Sequence, residues 1–152
     1  MQKKRFGRGF LLIEVLYAIF LVLTAALIVA ATMPVATVSR TMSSQQDKAM
    51  DLAQKQMEAI RAAGFANCNA GQLASLGLID SANPVGTNPS VFSFTNSDSQ
   101  NLDNPSTVLT SGAGTVEIDQ LSLNMVRVTI TVTWTSQGTP YTFQIGSMEA
   151  NL

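Results

Sequence analysis

A carboxylate stands alone near the start of a long apolar run, in Gly9-Phe10-Leu11-Leu12-Ile13-Glu14, directly behind the basic stretch Lys3-Lys4-Arg5-Phe6-Gly7-Arg8. From Phe10 to Ala31 only Glu14, Tyr17 and Thr24 are polar. An ionised side chain inside lipid is costly, so Glu14 needs a partner or a polar boundary. Gly9 offers a processing site in front of the apolar segment, whereas an ordinary secretory signal is cut behind it. Other chemistry-bearing groups are sparse. Glu117 and Asp119 share one face of an expected strand, as paired acid/base carboxylates would, and equally as residues of a solvated sheet edge. Asp98, Asn101, Asp103 and Asn104 gather oxygen donors in one loop, but their spacing fits no EF-hand and the required glycine is absent. Cys68 is the single cysteine and histidine is lacking, which removes an intramolecular disulfide and a Cys/His metal site. Neither an enzymatic activity nor a metal or cofactor is expected.

The elements that must hold Glu14 follow from hydropathy. A bilayer core of about 30 Å needs ~20 apolar helical residues, and the run from Phe10 suffices. Pro34, near its end, removes one helical hydrogen bond and predicts a kink or local loosening. Beyond it the pattern turns amphipathic. Ala49, Ala53, Met57 and Ile60, joined by Leu52, recur at three- and four-residue steps, with charged residues mainly on the other faces. Asp51 and Lys55 form an i,i+4 pair of the favoured polarity. Gly64 supplies a stop. One helix from Phe10 to Ala63 would measure roughly 80 Å at 1.5 Å per residue.

From Phe65 to Thr115 turn residues dominate, with a short helix expected within Gln72–Leu78 and a short strand within Val91–Phe94. No internal repeat is present. Val126, Val128, Ile130, Val132 and Trp134 then alternate with Arg127 and threonines, and Tyr141, Phe143 and Ile145 alternate after the turn Ser136-Gln137-Gly138-Thr139. These two runs predict an antiparallel hairpin, and Val116, Ile118 and Leu121 offer a third strand. The long helical stripe is the one element available to cover the apolar face of such a sheet. The expected fold class is α+β: a long N-terminal helix packed against a small C-terminal antiparallel sheet.

Charge is divided along the chain. Four of the nine basic residues precede Phe10, and after Gly9 five basic residues face ten acidic ones. That is a poor surface for neutralising phosphates, so no nucleic-acid partner is expected. The basic leader follows the positive-inside rule and places Met1 in the cytoplasm. A secretory signal has an apolar core of about 7–15 residues and a small-residue cleavage site behind it. This run is longer, carries Glu14 and grades into an amphipathic helix. A plain signal anchor fits the length but leaves Glu14 unexplained.

The segment Gly9-Phe10-Leu11-Leu12-Ile13-Glu14-Val15-Leu16 resembles the class III prepilin signal of type IV pilins and of the pseudopilins of type II secretion. The resemblance covers about the first third of the chain. It implies a cut between Gly9 and Phe10 by a prepilin peptidase, which also methylates the new N-terminal Phe10. It further implies that Glu14, then fifth, meets the N-terminal amine of Phe10 on a neighbouring subunit. Two departures are Leu11, where Thr or Ser is common, and Pro34, slightly beyond the helix-breaking proline of many major pilins. The stretch Ala53 to Arg61 also looks like the segment after the anchor in minor pilins and related pseudopilins.

The organisation expected from these readings is a leader at 1–9, a transmembrane and filament-core helix at 10–38, and its amphipathic continuation at 39–63. A loop-rich region follows at 64–114 and a β-sheet region at 115–152, together making a pilin fold. The resemblance implies a minor pilin of a type IV pilus, or alternatively a pseudopilin of a type II secretion or competence system. Its implied partners are the prepilin peptidase/methylase, other pilin or pseudopilin subunits and an inner-membrane assembly platform. The implied location is the bacterial inner membrane, N-terminus cytoplasmic and C-terminal domain periplasmic, followed by the pilus or pseudopilus. The reading from a different class is a single-pass anchored binding module that never polymerises.

Overall fold

The computed structural model describes residues 9–87, 89–97 and 101–151, with backbone alone at 9–11 and 34–36. The basic leader residues before Gly9, and Asp98, lie outside the described residues. The chain is α+β. A long helix α1 (Gly9–Ala63) is followed by short helices α2 (Ala70–Ser75) and α3 (Pro105–Val108). Five strands complete it: β1 (Gly86–Thr87), β2 (Ser90–Phe94), β3 (Ala113–Ser122), β4 (Met125–Ser136) and β5 (Thr139–Ala150). Two compact units divide the chain, Met1–Thr41 and Met42–Leu152.

Within the first unit the described backbone is helical throughout and does not break at Pro34. Threonines in this segment spend their hydroxyls on their own helix. Thr24 Oγ1 donates to Leu21 O at 2.9 Å and Thr32 Oγ1 to Ile28 O at 3.0 Å. That local bonding lets a hydroxyl sit in apolar surroundings without an external partner. Every large apolar side chain from Leu12 to Met33 is more than half exposed.

In the second unit the outer turns of α1 cover the sheet. Ala49, Leu52, Ala53, Met57 and Ile60 pack into one core with Phe92, Phe94, Val116, Val126, Val128, Ile130, Val132 and Trp134. Gln56 is buried among them, its Nε2 donating to Leu78 O at 2.6 Å. The sheet is an antiparallel meander in the order β1-β2-β3-β4-β5. Strand β4 explains its geometry: every even-numbered residue from Val126 to Ser136 is buried, so one face is apolar and the other threonine-rich. The β4–β5 turn has Gln137 at φ 53° and Gly138 at φ 77°, the two left-handed central residues of a tight two-residue hairpin.

Two sequence expectations need adjustment. Leu121 lies in β3 as expected but is 44% exposed, because it stands an odd number of residues from Val116 and Ile118 and so falls outside their inward period of two. The register also shifts between Gln120 and Ser122, which leaves it at a bulge. The short helix begins at Ala70 and ends at Ser75, since Asn69 caps it by accepting from Gln72 N, and Leu78 falls in the loop beyond. The short strand expected within Val91–Phe94 is present as β2, and the sheet draws β1 as well from the loop-rich stretch. Phe92 pairs with Val116, and Phe94 with Gly114.

Candidate functional site

The Gly9–Glu14 segment occupies the first turns of α1, and both Gly9 and Phe10 have helical backbone. Phe10 and Glu14 are four positions apart, which puts them on one face about 6 Å apart along the axis. Helical side chains lean toward the N-terminus, so the Glu14 carboxylate is carried toward the first turn. Glu14 is exposed and has no ion pair or hydrogen bond with the described residues. Leu12, Ile13, Val15, Leu16 and Tyr17 surround it, all exposed.

This apolar surface is the strongest physical statement the site makes. By length and composition α1 can cross a membrane, and no residue of its most apolar window is buried. Fully covering one large apolar side chain is worth about 1.5–3 kcal/mol, so covering half of those between Leu12 and Met33 is worth on the order of 10 kcal/mol. Lipid tails or other apolar helices can supply that cover. In either, an unpaired Glu14 is penalised, so the segment wants apolar neighbours everywhere and a cation at one height.

The remaining candidates are engaged elsewhere. Strand β3 is the middle strand of five, so Glu117 and Asp119 do not stand at a sheet edge. Asp119 faces Arg127 across the strand pair, with Nη2 to Oδ2 at 2.6 Å, which leaves no free carboxylate pair. In the acidic loop, Lys55 Nζ lies 2.8 Å from Asp51 and 3.1 Å from Asp103. The hydrogen bonds it donates to Asp51 first and Asp103 second hold the Lys55 ammonium above the usual lysine range. Asn104 caps α3, its Oδ1 accepting from Ser106 N at 2.9 Å. Among the described residues no group of three metal-ligating side chains comes together.

Cys68 is buried near the end of α1, and burial, followed by the charge of Glu149, pushes its thiol up. A cleft of about 360 Å³ opens beside it, lined by Asn69, Thr87, Ser90, Asp119 and Gln120, and its carboxylate, Asp119, is paired with Arg127. Sequence reasoning missed the contact that closes this end. Arg61 donates from Nη2 to Ser147 Oγ at 2.8 Å, and its Nε lies 3.4 Å from Glu149. Across such a separation in sequence no local pattern signals it. Gln56 was detectable, because it stands four residues after Leu52 and four before Ile60, on the apolar stripe.

Comparison of the chain with family models, with curated proteins and with solved structures found no match.

Proposed function

We propose that the chain is a type IV pilin-like structural subunit, a minor pilin assembled through α1 into the core of a pilus. The observation that carries this reading is a helix with its apolar side chains uncovered, bearing one uncompensated carboxylate a single turn after a Gly-Phe junction. The precursor inserts with its leader in the cytoplasm and the Met42–Leu152 unit on the far side of the membrane. A prepilin peptidase cuts after Gly9 and methylates Phe10. The second unit, a sheet covered by the outer turns of α1, is the head of a pilin fold. An inner-membrane platform then moves the helix from lipid into a bundle of like helices.

Each part has a physical task. Cutting at Gly9 creates an amine at the start of the helix, and Phe10 keeps the chain apolar around it. Glu14 meets the amine of a neighbouring subunit. A buried charge left without its partner costs about 3–5 kcal/mol, a factor of roughly a hundred to a few thousand in an equilibrium. A subunit docked one turn too high or low incurs that penalty, so the pair sets the register. Apolar packing alone has no such preference for height.

Replacing Glu14 by alanine is the test. In the producing cell the variant should be cut and should accumulate in the membrane, yet be missing from isolated filaments. Normal incorporation would overturn the role of Glu14 in assembly, whereas a parent chain that is itself missing from filaments would favour an anchored module that acts alone. Deletion of the chain separates the two assembly systems: loss of surface filaments marks a pilus, trapped exoproteins a secretion pseudopilus.

A further inference from the structure

Four polar residues interrupt the apolar segment from Leu12 to Met33: Glu14, Tyr17, Thr24 and Thr32. The two threonines are satisfied by carbonyls of their own helix. Glu14 and Tyr17 are exposed and have no hydrogen bond or ion pair with the described residues. They stand three apart and are therefore neighbours on the helix surface. A helical side chain covers the turn N-terminal to its own Cα, which for Tyr17 is the turn that carries Glu14. Tyr17 also lines an open furrow with Ile13, Leu16, Phe20 and Leu23, so its ring has apolar neighbours while its hydroxyl has none of its own kind.

We infer that Tyr17 is a positioning residue of the assembly site: when a neighbouring copy covers this face, its hydroxyl donates a hydrogen bond to Glu14 and holds that carboxylate toward the incoming amine. This rests on the assembly reading. A carboxylate has about four acceptor sites, and one ammonium does not fill them once water is excluded. A buried ion pair is favourable only when further hydrogen bonds satisfy the remaining lone pairs. A phenol in apolar surroundings needs an acceptor just as a carboxylate needs donors. Each group meets the need of the other, and the charge that results matches the amine of a second copy.

The test uses the full chain in the producing cell. Targeted mass spectrometry compares the chain in isolated filaments with the total cleaved chain, so small fractions remain measurable. Tyr17→Phe keeps the ring and removes the hydroxyl. It should lower the assembled fraction about tenfold, with cleavage after Gly9 and the membrane level unchanged. In a Glu14→Asp background, where the shorter carboxylate no longer reaches the hydroxyl, Tyr17→Phe should add no further loss. Wild-type assembly by Tyr17→Phe, or the same tenfold loss repeated in the Glu14→Asp background, overturns the inference. A fall in the membrane level of the Tyr17→Phe precursor would instead assign the hydroxyl to lipid headgroups, and overturns it as well. If Glu14→Ala itself assembles normally, the assembly reading has failed and the role of Tyr17 falls with it; loss of assembly by Glu14→Ala beside wild-type assembly by Tyr17→Phe overturns the role of Tyr17 alone.

Discussion

Gly114 sits on β3 opposite Phe94 of β2, and a side chain there has no room. A Cβ built on Gly114 would press on Phe94 Cζ and lie 2.5 Å from Cε1 and 2.6 Å from Cε2. Phe94 is 2% exposed and belongs to the core, so its ring has nowhere to swing. Two effects compete when Gly114 becomes alanine. Reduced freedom of the unfolded chain stabilises the fold by about 0.4–1 kcal/mol. Displacing a packed ring costs about 1–3 kcal/mol. The second effect wins, with a net loss of about 1–2 kcal/mol and a fall in Tm of roughly 5–10 °C for a unit of this size. Thermal unfolding of Met42–Leu152 measures it, since that segment holds the whole core cluster. Phe94→Leu supplies the cross-check: it should cost less in the Gly114→Ala background than alone, by about 1 kcal/mol. A Gly114→Ala variant as stable as the parent, or more so, would refute the close packing of these two residues.

Two further predictions concern the same unit. The Cys68 thiol is pushed up in the folded state, so below the ordinary thiol range, about 8.5, it contributes no pH dependence. Above that pH the unfolded chain loses its proton first, and stability falls as pH rises toward the folded value. Cys68→Ala should flatten this alkaline decline in urea titrations, whereas an unchanged slope would contradict the burial of the thiol beside Glu149. Trp134 is the single tryptophan, 5% exposed and stacked on Tyr141 with ring centroids 5.8 Å apart. Its emission should therefore be blue-shifted and move to the red in one transition with loss of the sheet; emission at the fully solvated wavelength in the folded state would contradict it.

Periodicity revealed what is local in this fold. The alternation of Val126 to Trp134 and of Tyr141 to Ile145 marks the β4–β5 hairpin, because each strand displays its own inside and outside. The stripe from Ala49 to Ile60 likewise displays the buried face of α1. What stayed hidden depends on contacts distant in sequence. Strand β1, Gly86–Thr87, is too short to carry a pattern, and its pairing with Val91 and Ser90 is what makes it a strand. Gly114 reads as a breaker until Phe94 is placed over it. Leu121 looks like a core residue by type alone, while its odd spacing from Val116 and Ile118 already turns it outward. The candidate site has the opposite character. Gly9, Phe10 and Glu14 stand out by residue type and spacing alone, and the fold adds the apolar helical surface on which a lone carboxylate has a consequence.

Mass spectrometry of the chain isolated from its producing cell tests directly the proposal that Gly9 is cut so that Phe10 can present an amine to Glu14 of another subunit. The expected mature protein begins at Phe10 and carries one methyl group on its N-terminal nitrogen. An intact leader beginning at Met1, or a new start near Ala36 behind the apolar segment, would contradict it.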